Sequence, residues 1–156
     1  SKAYSMTGWR IGYAAGPVEL LRAMTNIQSQ STSNPASISQ AAAVAALNGD
    51  QSFIAQMLAA FKTRHDYLVD ALNQIPGIDC EAADGTFYCF PSMHGLIQNL
   101  DGVSNDIELA EYLIERAGVA LVPGSAFGAP GYMRLSFATS MENLRKAVER
   151  IQRIAQ

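Results

Sequence analysis

The sequence predicts an α/β chain, and three features carry that prediction. From residue 77 onward, strand-like and helix-like stretches follow one another as strand, helix, strand, strand, helix, the pattern of a small α/β or α+β lobe. Residues 50–74 keep one helical period long enough to bridge two lobes. Residues 1–49 offer two short extended runs and two helices, too little for a sheet of their own, so they read as part of a larger sheet.

At the head, residues 3–6 and 9–15 read as extended runs, with Thr7-Gly8 as a turn between them. Gly16-Pro17 ends the second run, and Pro17 suits a first helical turn. A helix near 17–29 follows, with Val18, Leu21, Met24 and Ile27 at helical spacing. Gln28 to Asn34 is polar and reads as a loop closing at Asn34-Pro35. An Ala-rich helix fits 36–48 and stops at Asn48-Gly49. The long helix carries Phe53, Ile54, Met57, Leu58, Phe61, Leu68 and Leu72 as its apolar stripe, and Pro76-Gly77 closes it.

In the tail, residues 85–90 are an aromatic-rich strand candidate. Asp106 to Ala117 is a helix that Ser104 or Asn105 can cap and Gly118 can end, with Ile107, Ala110, Leu113, Ile114 and Ala117 on one face. Val119 to Val122 is a short strand, residues 123–131 a Gly/Pro loop, and Tyr132 to Ala138 a strand of strict alternation. Ser140 caps a last helix with Met141, Leu144, Val148, Ile151 and Ile154 toward a core.

The chain has 156 residues, 49% apolar and 16% charged, a globular balance. A net charge of −3 argues against a nucleic-acid surface. No apolar run approaches the roughly 18 residues of a membrane span, and no signal peptide is visible at the N-terminus. Ser1-Lys2 reads as the middle of a structured segment, so a piece of a longer protein is expected. Cys80 and Cys89 flank an expected turn and could pair across a hairpin, while the plainer reading is two small buried or half-buried thiols in a reduced compartment. His65 and His94 stand far apart without spaced partners, so no metal site is expected. His65 is expected on the exposed side of its helix and His94 in a loop. Trp9 and Tyr13 are read as core or interface packing.

Lys2 and Arg10 stand eight residues apart on either side of the Thr7-Gly8 turn. Paired as a hairpin about Met6, they would face each other. A neighbouring arginine favours the neutral amine, the form that attacks carbonyls. The guanidinium is a fork suited to phosphate. An aldehyde with a phosphate tail would satisfy both, although two solvated cations on a hairpin would give the same spacing. In the strand at 132–138, Arg134 lies on the polar face between Tyr132 and Ser136 and can grip a carboxylate bidentately.

The run from Ser1 to Tyr13, Ser-Lys-Ala-Tyr-Ser-Met-Thr-Gly-Trp-Arg-Ile-Gly-Tyr, resembles the Schiff-base segment of class I, fold-type I pyridoxal-phosphate-dependent aminotransferases of the aspartate aminotransferase type. Residues 28–35 are similar to that family's polar interface loop, residues 123–128 to a small-domain loop, and residues 132–138 to the strand bearing its substrate arginine. Gly85-Thr86-Phe87-Tyr88 is similar to a strand that approaches substrate.

The resemblance implies the C-terminal part of the fold-type I fold. Residues 1–49 would end the large-domain sheet, 50–76 would be the connecting helix, and 77–156 the small α/β domain. It implies Lys2 as the catalytic and cofactor-bonding lysine, Arg10 on the pyridoxal 5'-phosphate phosphate, and Arg134 and Phe87 on the substrate side. It also implies amino acid and 2-oxo acid substrates, a cytoplasmic setting and a homodimer for the intact enzyme. The family's ring-binding aspartate, asparagine and tyrosine, its stacking aromatic and its phosphate loop precede the lysine, so this chain alone is expected to be inactive. Two other readings stand beside it: a non-catalytic sensing or assembly module, and an aromatic amino acid aminotransferase.

Overall fold

Helix formation follows the apolar spacing and the local caps, and the computed structural model describes all 156 residues. They fall into two units, Ser1–Met57 and Leu58–Gln156.

In the first unit, α1 spans Val18–Ser31 and α2 Ser37–Asn48. Pro17 precedes α1 with an extended backbone, and Gly49 ends α2 by donating its N–H to the Ala45 carbonyl at 2.9 Å. The helix α3, Ser52–Asn73, starts here, where the Asp50 carboxylate accepts the Ser52 N–H at 2.9 Å. The apolar stripe of α1 is not buried: Val18 is 69% and Ile27 73% exposed. Trp9 and Tyr13 are exposed, so neither belongs to a core of this unit. The polar loop expected from residue 28 begins later, because α1 continues through Ser31.

The expected hairpin at residues 3–15 does not form. Ser1 to Ser5 is a turn, closed by the Met6 N–H on the Ser1 carbonyl at 2.7 Å, and Thr7–Trp9 is one 3-10 turn. Ser5 (φ 53°) and Arg10 (φ 51°) are left-handed, which breaks both extended runs. Lys2 and Arg10 therefore do not face each other across paired strands.

The second unit builds a three-stranded antiparallel sheet, β1 (Tyr88–Cys89), β2 (Val122–Pro123) and β3 (Met133–Ser136), in the order β1-β3-β2. Tyr88 pairs with Ser136 and Cys89 with Leu135, while Val122 pairs with Arg134 and Pro123 with Met133. The strand expected at 85–90 is cut to two residues because Thr86 is left-handed (φ 70°) and residues 84–87 bend. The strand expected at 119–122 begins only at Val122.

Three helices complete the unit: α4 (His94–Asn99), α5 (Asp106–Ala117) and α6 (Met141–Ile154). The Asn105 side chain accepts the Ile107 and Glu108 N–H groups at 3.0 Å each, and left-handed Gly118 ends α5. The Ser140 hydroxyl caps α6 through the Asn143 N–H at 3.1 Å. Leu144, Val148 and Ile151 of α6 meet Leu109 and Leu113 of α5, Leu68 and Leu72 of α3, and Met133, Leu135 and Phe137 in one core. Ile107 and Ile114, expected on the core face of α5, are each 53% exposed; Leu109 takes that place. His94 opens α4 rather than sitting in a loop. His65 is half-buried, with its Nδ1 3.0 Å from Asp66 and its Nε2 accepting the Ala83 N–H at 3.0 Å. Cys80 and Cys89 are buried free thiols, and the hydrogen bond between them together with burial pushes the Cys89 thiol up. No helix is long and apolar enough to cross a membrane.

Candidate functional site

In the first unit, Lys2 and Arg10 sit on one irregular segment, both exposed. Side chains of α2 and of the start of α3 hold that segment. The Ser39 hydroxyl, the one buried polar group of α2, donates to the Trp9 carbonyl at 2.8 Å. The Tyr4 hydroxyl donates to Gln51 at 2.7 Å, and its ring meets Phe53 at 6.1 Å between centroids. The Ser1 hydroxyl donates to the Ile11 carbonyl. The Arg10 guanidinium donates to the Thr7 carbonyl at 3.1 Å, across the turn that its own left-handed backbone closes. A cavity of about 460 Å³ lies beside the segment, lined by Tyr4, Met6, Ile11, Val44 and Leu47 among others. Sequence reading missed Ser39, because a serine inside an Ala-rich helix carries no signal of a tertiary partner.

In the second unit, the period of β3 buries Met133 and Leu135 and leaves Arg134 half-buried on the other face. Arg134 opens onto a cavity of about 520 Å³ walled by Tyr88, Phe90, Phe127, Tyr132 and Glu81. Its guanidinium carbon lies 4.5 Å from the Tyr88 ring centre and 4.6 Å from that of Phe127. Phe90 stacks on Tyr132 at 5.4 Å and meets Phe127 edge-on at 6.1 Å. Phe87 packs toward the core against Phe61 at 6.5 Å, with its ring 4.3 Å from Tyr88. Tyr88, not Phe87, lines the Arg134 cavity.

The 3-10 turn Gly124–Phe127 presents Phe127. Asp106, only 1% exposed, anchors that turn: its carboxylate accepts the Ser125 N–H at 2.7 Å and the Ser125 hydroxyl at 2.8 Å. Burial alone would raise the Asp106 pKa, but hydrogen bonds from the Ser125 backbone and side chain and from the Gly131 backbone outweigh it, and the net shift is downward. Neither Asp106 nor the aromatic wall was singled out from the sequence. Asp106 sits where any first-turn acid would favour a helix, and its partner lies 19 residues on.

The fold has counterparts among known proteins. The chain matches the aminotransferase class I and II family over residues 1–151 and belongs to it. It is 57% identical over 156 residues to the aspartate/prephenate aminotransferase of Nitrosomonas europaea, covering 97% of this chain and 39% of that protein. Its structure is similar to that of the aspartate aminotransferase from Rhizobium meliloti, with a TM-score of 0.89, 48% identity and coverage of 98% of this chain and 39% of that one. The aromatic aminotransferase from Pyrococcus horikoshii OT3 is also similar, with a TM-score of 0.85 and 34% identity, covering 99% of this chain and 40% of that one. The chain thus spans about two fifths of the length of these relatives. Its α/β architecture is that of the fold-type I aminotransferases it resembles.

The family's members generally use pyridoxal phosphate, and the donor set of the first unit fits its two ends. A primary amine and a guanidinium, both exposed on one short segment, match an aldehyde and a phosphate.

Proposed function

We propose that this chain is part of a pyridoxal-phosphate-dependent aminotransferase that moves an amino group between aspartate, or a related amino acid, and a 2-oxo acid. Residues 1–49 would end the large cofactor-binding domain, 50–76 the inter-domain helix, and 77–156 the small domain. The observation that carries the reading is Arg134, a half-buried guanidinium on a cavity of about 520 Å³ in a chain that also retains Lys2 and Arg10.

When bound, pyridoxal phosphate supplies an aldehyde for covalent attachment and a ring that accepts the electron pair left by the departing α-proton. Lys2 Nζ is the attachment point. With the cofactor held there, Lys2 Nζ would also be the base that carries the substrate's α-proton. Arg10 holds the phosphate through its planar fork. Arg134 pairs with the α-carboxylate, which amino acid and 2-oxo acid share, so one residue serves both half-reactions. Phe87 packs against Phe61 on the core side, and its part on the substrate side would be to back the Tyr88 ring. The intact enzyme would act as a cytoplasmic homodimer, a setting in which Cys80 and Cys89 stay reduced.

Arg134→Ala in the full-length enzyme tests the assignment. The expected result is a rise of roughly a hundredfold in KM for the amino acid and for the oxo acid alike, since a bidentate charge-assisted pair is lost in both. A rise for one substrate only would place Arg134 on a distal group. The aromatic alternative is favoured by the cavity's four rings, Tyr88, Phe90, Phe127 and Tyr132. A higher kcat/KM for phenylalanine than for aspartate would decide for it.

A further inference from the structure

We propose that Tyr88 and Phe127 are positioning residues that clamp the Arg134 guanidinium and aim its N–H edge at the substrate carboxylate. The inference rests on the reading of Arg134 as the carboxylate partner. An acidic side chain that orients an arginine also consumes its N–H donors. None of the ion pairs in this chain involves Arg134. Its guanidinium carbon instead lies 4.5 Å from one ring centre and 4.6 Å from another. A ring face attracts the cation through its quadrupole and leaves the in-plane N–H groups available.

The two rings come from opposite flanks of β3. Tyr88 lies on β1, which pairs with one edge, and Phe127 ends the turn that follows β2, which pairs with the other. A lateral shift of the guanidinium thus moves it against one ring or the other.

Hydrophobic burial does not account for Phe127, which is 50% exposed. Its turn is fixed by polar contacts: Asp106 holds Ser125, and the Gly124 N–H donates to the Tyr132 carbonyl at 2.7 Å. A Cβ at Gly124 would stand 2.2 Å from the Ala129 carbonyl oxygen, so the turn has no room to take a larger residue. Phe90 backs Phe127 edge-on and stacks on Tyr132. The set is built to hold a ring in a half-exposed place beside a cation.

The test uses Phe127→Leu, which removes the ring but keeps an apolar side chain at an exposed turn, with Phe127→Tyr and Tyr88→Phe as ring-keeping controls. In the full-length, pyridoxal-phosphate-loaded enzyme, Phe127→Leu is expected to raise KM for both substrates roughly five- to twentyfold while kcat moves less than about threefold. The ring-keeping controls are expected to raise KM less than Phe127→Leu does. In parallel, arginine-labelled protein is examined by NMR: ring currents should shift the Arg134 δ-protons upfield, and Phe127→Leu should relax much of that shift. If Arg134→Ala raises KM but Phe127→Leu changes neither KM nor the proton shift, the clamp is overturned while the carboxylate role survives. If Arg134→Ala changes neither KM, the carboxylate role fails and the clamp loses its purpose with it.

Discussion

Arg10 and Arg134 carry the same charge in opposite settings. Arg10 is exposed and turned back on the Thr7 carbonyl, while Arg134 is half-buried among rings. Arg10→Ala is expected to weaken pyridoxal phosphate binding about ten- to a hundredfold, the loss of one or two charge-assisted hydrogen bonds, as read by fluorescence titration of the full-length apoenzyme. An unchanged affinity would mean that other groups hold the phosphate. At this scale the sequence was informative wherever a residue's chemistry acts alone. The type and order of Lys2, Arg10 and Arg134 could be read, and so could the face of β3 on which Arg134 stands, since a period of two is local. The neighbours could not. Tyr88 and Phe127 meet Arg134 through sheet pairing, and His65 meets Ala83 across 18 residues, so no spacing rule points to them.

Among the elements, those with local caps were legible to within a residue, the α5 cap having been open between Ser104 and Asn105. Asn105 and Gly118 bound α5, and Ser140 starts α6, because each cap bonds groups within three or four positions. The head was misread for the converse reason. Residues 3–15 have strand-like composition, but a strand needs a partner, and Ser5 and Arg10 turn left-handed instead. The six-residue α4 was missed because a tertiary contact defines it: the Leu96 N–H donates to the Gly77 carbonyl at 2.9 Å where Gly77 and Gly95 touch.

That contact makes a prediction. Gly77 has φ +84°, and a Cβ there would lie 2.4 Å from the Leu96 nitrogen. Gly77→Ala is expected to destabilise by about 2–4 kcal/mol, measured as a lower urea midpoint. A shift under about 0.5 kcal/mol would show that the junction relaxes freely.

The Asp106 anchor makes another. Asp106→Ala strands the Ser125 N–H and hydroxyl, at a cost of about 3 kcal/mol. Because the folded-state pKa of Asp106 is lowered, its contribution is full above the ordinary carboxylate value and fades as pH falls through the folded one. Asp106→Asn should therefore flatten the acid limb of the stability curve below about pH 4. An acid limb identical to the parent's would assign that pH dependence to other carboxylates.

For the whole molecule, the uneven burial of its two units is the central physical fact. The second unit has a closed core from Leu68 to Ile151, whereas α1 buries no residue and α2 only Ser39. Apolar side chains such as Val18, Ile27 and Ile38 remain in water, an arrangement that calls for further protein surface. The length comparison agrees, since the chain spans 39% of its relative. The 156-residue chain alone is expected to show no measurable turnover of aspartate with 2-oxoglutarate, in an assay coupled to oxaloacetate. Enzyme-like rates would mean that this chain holds a complete site.

The most direct test of the account is the identity of the lysine that takes the cofactor. The full-length enzyme would be loaded with pyridoxal phosphate, reduced with borohydride, and mapped by mass spectrometry beside its absorption spectrum. Selective, stoichiometric labelling of Lys2 is the predicted result. Scattered labelling that reaches Lys62 and Lys146 equally, with no defined absorption band, would contradict a cofactor site built around Lys2 and Arg10.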